Sequence, residues 1–226
     1  YKFDDISTFN SQISLRKFKK EKLTVNEKSF LVNNAISIPK EGGESYNKNK
    51  IFTFVSIAHF RPQKDYKTLF KAVKKIKDLN YDVRLQVLGH IGEITWPQEM
   101  LKKYEIDDNV FLLGFIKNPQ FYIERSDALV LSTFWEGTPN AILEGMANKL
   151  PIISSDVPGC KELVEKAKCG YLVKSRDAED LANKMIELML LKEKTLLSLG
   201  KNGYNYVHNN YNEDKIFSEW EGLIVK

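Results

Sequence analysis

From Ile51 onward, short apolar runs alternate with longer stretches whose apolar residues recur at helical spacing. Ile51–Ile57 is β-rich and almost wholly apolar, the signature of a parallel strand buried on both faces. Tyr66–Leu79 follows, with Leu69, Phe70, Val73 and Ile76 on one helical face. Asp82–Leu88 alternates Val83, Leu85 and Val87 and stops at Gly89, as a strand does. The same reading predicts helices at Pro97–Tyr104, Pro119–Arg125, Thr138–Ala147 and Glu162–Lys166. Between them it predicts strands at Val110–Leu113, Ala128–Leu131, Ile152–Ser154 and Tyr171–Val173. Three helices close the chain, at about Ala178–Leu190, Leu196–His208 and Asp214–Ile224.

Strand–helix alternation of this kind builds βαβ units, and six such strands predict an α/β, Rossmann-like, doubly wound parallel sheet. Sheets of that class bind ligands at the carboxyl ends of their strands, near the point where strand order reverses. Any site is therefore expected in the loops after Ile57, Leu88, Leu113, Leu131 and Ser154. Residues 1–50 read differently: polar over 3–30, a basic cluster from Arg16 to Lys22, then a linker composition over 40–50. They are expected to be a lead-in or connector, with residues 51–226 as the domain. The chain opens on Tyr1 and not on Met, which points to a longer parent.

Composition narrows the class. The chain has 226 residues, enough for a real core, and 42% hydrophobic with 28% charged residues is an ordinary globular balance. Neither a run of about 20 apolar residues nor a secretory leader pattern is present, so a cytoplasmic protein is expected. Cys160 and Cys169 read as free thiols of a reducing compartment. A net charge of +4, made mostly of dispersed lysines, argues against a nucleic-acid binder. The Arg16–Lys22 cluster reads first as a solvated basic stretch, with a peripheral contact to an anionic membrane surface as the alternative.

Two loops carry candidate chemistry. After the first strand, Ala58-His59-Phe60-Arg61-Pro62-Gln63-Lys64-Asp65 places His59, Arg61 and Lys64 at a strand's carboxyl end, where they suit an anion such as a diphosphate. Neither a Walker loop nor a dinucleotide glycine fingerprint is present. After Leu131, the run Trp135-Glu136-Gly137-Thr138-Pro139-Asn140-Ala141 leads into a helix, with Thr138 expected as N-cap and Pro139 as the first helical residue. Free N–H groups and the positive dipole end at such a start favour an anionic ligand. Glu136 precedes the helix. Glu144 falls among Leu143, Gly145, Met146 and Ala147, yet periodicity alone reads it equally well as an exposed helix glutamate.

Together these segments resemble the C-terminal, nucleotide-sugar-binding half of a retaining glycosyltransferase of GT-B fold, glycosyltransferase family four. The resemblance is strongest over Glu136–Ala147, where the two glutamates stand seven residues apart and Met146-Ala147 leads on to Pro151-Ile152-Ile153. Lys64 matches the family's basic loop, whereas the family's arginine falls on His59, a departure that Arg61 is placed to offset. Val87-Leu88-Gly89, Leu113-Gly114 and Pro158-Gly159-Cys160-Lys161-Glu162 are further matches, and Val32-Asn33-Asn34-Ala35 resembles the connector between the two halves.

The resemblance implies a nucleotide-sugar donor, UDP-linked by preference, a glycan or lipid-linked acceptor, and an acceptor-binding N-terminal half outside this chain. It implies catalysis without metal or other cofactor, with Lys64 and Arg61 or His59 facing the departing diphosphate. Glu136 would act at the sugar and Glu144 on the ribose. Gly137, Thr138, Pro139, Asn140 and Ala141 would touch sugar and phosphate, and the Gly114-Phe115-Ile116 turn the base. Opposite charges about 4 Å apart at an effective dielectric near 20 interact by roughly 4 kcal/mol. Half of that, expressed only in the transition state, is worth on the order of 30-fold in rate. Two rivals stay open: a non-catalytic nucleotide-sugar-binding or partner-docking module, and a nucleotide-sugar epimerase of the same fold. His90 and His208 read as ordinary polar residues. Trp135 reads as packing or as a wall of the sugar pocket, and Trp220 and Leu223 as a face for the absent half.

Overall fold

A computed structural model of the chain describes residues 7–9, 29–39 and 51–224. The basic cluster Arg16–Lys22 and the linker at 40–50 lie outside these. Two short strands, β1 (Ser7–Phe9) and β2 (Ser29–Leu31), pair in parallel. The main sheet holds β3 (Phe52–Ile57), β4 (Val83–Leu88), β5 (Val110–Gly114), β6 (Ala128–Leu131), β7 (Ile152–Ser155) and β8 (Gly170–Val173). All six run parallel in the order β5-β4-β3-β6-β7-β8. The Rossmann-like doubly wound sheet is thus present, and its order reverses between β3 and β6.

The helices are α1 (Tyr66–Asp78), α2 (Trp96–Lys103), α3 (Gln120–Ile123), α4 (Asn140–Ala147), α5 (Cys160–Ala167), α6 (Ala178–Met189), α7 (Glu193–Asn210) and α8 (Glu213–Ile224). They bury both faces of the sheet, which explains why its strands read as continuous apolar runs. Adjacent residues of one strand feed opposite cores. Phe54, Val130 and Ile153 join α1 and α6 on one side. Val55, Leu129 and Ile152 join α4, α5 and α7 on the other. Cys160 and Cys169 are free and fully buried in the second core.

Helix α7 begins at Glu193, three residues before the expected Leu196, and two other helix starts also differ from the sequence expectation. Thr138 is not the N-cap of α4: Pro139 is, with an extended ψ of 106°, and the first helical residue is Asn140. Helix α5 starts at Cys160, two residues earlier than expected, because Gly159 takes a φ of +88° and Glu162 reaches back to accept from its backbone N–H. Among the described residues, no helix is long and apolar enough to cross a membrane.

Candidate functional site

The loops that leave β3 and β6 face each other across the point where strand order reverses, and hydrogen bonds stitch them together. Ser132 Oγ donates to the Asp65 carbonyl at 2.9 Å, and the Phe134 N–H to the Gln63 carbonyl at 2.8 Å. The Thr133 hydroxyl lies 2.9 Å from the Gln63 carbonyl and 3.1 Å from Glu136 Oε1. These contacts set Glu136 opposite Lys64, and the two form an ion pair with side chains only 12% and 18% exposed. A pair so far from solvent is less screened than a surface one.

A second zipper joins the β3 loop to the β4 loop. The Ala58 N–H donates to the Leu88 carbonyl at 2.9 Å, and the Phe60 N–H to the His90 carbonyl at 3.0 Å. His59 Nδ1 accepts the His90 N–H at 3.0 Å, which leaves Nε2 as the ring nitrogen free to meet a ligand. Tyr66, buried in α1, donates its hydroxyl to the Ala58 carbonyl at 2.6 Å. Behind the loop, Phe60 stacks on Tyr66 with ring centroids 4.0 Å apart. The turn bearing His59, Arg61 and Lys64 is therefore fixed from below.

Between these loops opens a cleft of about 450 Å³. His59, Arg61 and Lys64 line one side of it, and Glu136, Thr138 and Pro139 another. Asn140, Ala141 and Glu144 of α4 reach in, as do Phe115 and Ile116 from the turn after β5. The first intrahelical bonds of α4 run from the Ile142 and Leu143 N–H groups to the Pro139 carbonyl, so those of Asn140 and Ala141 stand at the cleft ahead of the helical ladder. Glu144 is half-buried one turn in, and desolvation raises its carboxyl above the ordinary carboxylate value. It is not the exposed helix glutamate that periodicity equally allowed.

Two further residues expected at the site, Gly137 and Gly114, each make a backbone contact between loops. Gly137 is not a lining residue. Its carbonyl lies where a Cβ on Gly159 would come within 2.1 Å, so the α5 turn is pressed onto the Glu136-Gly137 backbone. Gly114 likewise serves the scaffold: its carbonyl accepts the Gly89 N–H at 2.8 Å. The loop after β7 thus meets the Glu136-Gly137 backbone at Gly159.

Asn34 lines the cleft and was read only as part of a connector. No local signal in the sequence brings it to Asn140, since 106 residues separate the two. Cys160 lies close enough to feel the charges of Glu136 and Lys64, but burial pushes its thiol up to about 12, so it stays protonated and inert at neutral pH. Trp135 is 62% exposed and outside the lining, which rules out the packing role. Trp220 is partly exposed on α8.

A family profile described as glycosyl transferases group 1 matches residues 39–206. An uncharacterized glycosyltransferase of Methanocaldococcus jannaschii is 27% identical over 99% of this chain and 64% of its own length. The UDP-Gal:alpha-D-GlcNAc-diphosphoundecaprenol alpha-1,3-galactosyltransferase of Escherichia coli is 28% identical over 79% of this chain and 46% of its own length. The chain thus spans less than two thirds of the curated relatives it matches. Among solved structures, the HepE protein of Anabaena in complex with UDP-glucose superposes with a TM-score of 0.85 at 18% identity, over 99% of this chain and 64% of that one. At that identity the likeness concerns the fold.

Proposed function

The chain belongs to the glycosyl transferases group 1 family, and from that premise we propose that its cleft binds a nucleoside diphosphate sugar, with a UDP-sugar preferred. In this reading residues 51–226 are the donor-binding half of a retaining GT-B glycosyltransferase that moves the sugar to a glycan or lipid-linked acceptor. A second domain supplies the acceptor contacts, residues 1–50 lead in from it, and the chain alone turns over negligibly. The buried thiols of Cys160 and Cys169 fit a reducing, cytoplasmic setting.

One observation carries the reading. Lys64 and the start of the helix bearing Glu144 converge on a single cleft at the reversal point of the sheet. When the bond between the anomeric carbon and the diphosphate oxygen breaks, the leaving group gains charge. Arg61 or His59 and the Asn140 and Ala141 amides are placed to meet it, as is Lys64 once it exchanges Glu136 for the ligand. Positive side chains and backbone dipoles, not a metal, supply that stabilisation in this reading. Glu136 holds sugar hydroxyls, and Glu144 accepts hydrogen bonds from the ribose. A group that can offer hydroxyl donors suits Glu144, because a half-buried carboxylate gains most from partners.

Calorimetric titration with UDP and UDP-glucose tests this. Wild type binds, and Lys64→Ala and Glu144→Ala bind each about tenfold or more weakly, the scale of one charge-assisted hydrogen bond. Equal affinity in all three proteins would refute the assignment.

A further inference from the structure

Asn34 and Asn140 meet through their side-chain amides: Asn34 Nδ2 donates to Asn140 Oδ1, and both residues line the cleft. Asn34 belongs to the described segment 29–39, far from α4 in sequence. Its neighbourhood is held in place, since the Ile36 N–H donates to the Tyr211 carbonyl at 2.9 Å and Ile36 bridges Asn212. The donor therefore comes from an anchored stretch of backbone.

A primary amide has, in one plane, an acceptor at one end and two N–H donors at the other. Once Asn34 takes the acceptor of Asn140, the rotation of that amide is no longer free. Its Nδ2 is turned away from Asn34, on an exposed residue at the first position of α4. That is where the unladdered N–H groups of Asn140 and Ala141 also stand. An Asn140 amide turned the other way would present its oxygen to an incoming phosphate and repel it.

Resting on the donor-site reading above, we propose that Asn34 is a positioning residue for the donor: it pins the Asn140 amide so that its two N–H groups join the α4 amides against the ligand's phosphates. Asn34 acts on the donor through Asn140. The ligand class is an anion with oxygen acceptors, here the diphosphate of the nucleotide sugar.

The test titrates UDP-glucose into the chain and its variants, with thermal midpoints as the folding control. Asn34→Ala and Asn140→Ala are each expected to bind roughly five- to tenfold more weakly, the scale of one hydrogen bond. The double variant should be no weaker than Asn140→Ala alone. Asn34→Asp keeps the shape but can only accept, so it reverses the Asn140 amide and lowers affinity at an unchanged midpoint. Asn140→Asp still accepts from Asn34 yet has lost both donors, and should bind more weakly than Asn140→Ala. Wild-type affinity in Asn34→Asp or Asn140→Asp, or additive losses in the double variant, would overturn the proposal. If Lys64→Ala and Glu144→Ala weaken binding while the Asn34 variants do not, this inference fails and the donor site stands. If none of them matters, the donor site itself is wrong.

Discussion

Gly89 holds the basic loop of the cleft by having no side chain. A Cβ built on it would lie 1.9 Å from the Ala58 carbonyl oxygen, 2.4 Å from its carbon and 2.9 Å from the His59 nitrogen. All three are backbone atoms, and Tyr66 and Leu88 already fix Ala58 by hydrogen bonds, so no side chain can swing aside. In Gly89→Ala the chain at Ala58–His59 must withdraw by about 1 Å, the step from 1.9 Å to the shortest distance real contacts show. Overpacking of this kind costs about 2 kcal/mol, which for a domain of this size lowers Tm by roughly 4–8 °C. The displaced turn carries His59, Arg61 and Lys64, so affinity for UDP should fall about tenfold, the scale of one weakened charge-assisted hydrogen bond. Differential scanning calorimetry and titration with UDP read both quantities. Gly92→Ala is the control, because its φ of +74° brings strain while the nearest atom to its Cβ, His90 Nε2, is 4.0 Å away, so it should lower Tm and leave UDP affinity alone. Unchanged stability and unchanged affinity in Gly89→Ala would refute the packing argument. A lower Tm with full affinity would show that the loop adjusts independently of the cleft.

Further outcomes follow from the same geometry. Burial raises the Glu144 carboxyl, so the folded chain holds that proton more tightly than the unfolded chain. Its contribution is fully present below the unfolded carboxylate value and is lost as pH rises through the folded one. Glu144→Gln should therefore gain stability over wild type at about pH 8 and lose that advantage near pH 4, as urea denaturation at the two values will measure. Lys64→Ala and Glu136→Ala should show a coupling of about 1 kcal/mol or more in a double-mutant cycle, since both side chains are largely out of solvent. Additive losses would mean the pair is not formed in solution. Cys160 and Cys169 should resist a thiol reagent in the native state and react on unfolding, because burial pushes each thiol up to about 12. Fast native labelling at either position would contradict their burial.

Much of this architecture was legible along the chain. Apolar runs such as Phe52–Ile57 and Ala128–Leu131 are buried on both faces, and that alone dictates a parallel sheet covered by helices. The site loops were legible because doubly wound sheets bind at the carboxyl ends of their strands, where Lys64 and Glu136 stand. What escaped was set by other parts of the fold. Thr138 looks like an N-cap by residue type, but the extended backbone of Pro139 takes that position. The early start of α5 depends on a positive φ at Gly159, where the turn closes onto the Gly137 carbonyl from a different loop. The sequence also gives no sign that the Gly137 and Gly114 carbonyls meet the turns at Gly159 and Gly89. Asn34 was invisible because its partner lies on the far side of the sequence.

The ion pair between Lys64 and Glu136 also bears on selectivity. A small anion entering beside Lys64 must compete with a carboxylate already seated there, and even phosphate offers Glu136 no more than an acidic P–OH. A ligand with phosphate at one end and hydroxyls at the other replaces both halves of the contact at once. Under the proposed donor reading, free phosphate is thereby the weaker competitor, since the nucleotide sugar meets Lys64 and Glu136 with two chemistries in one molecule.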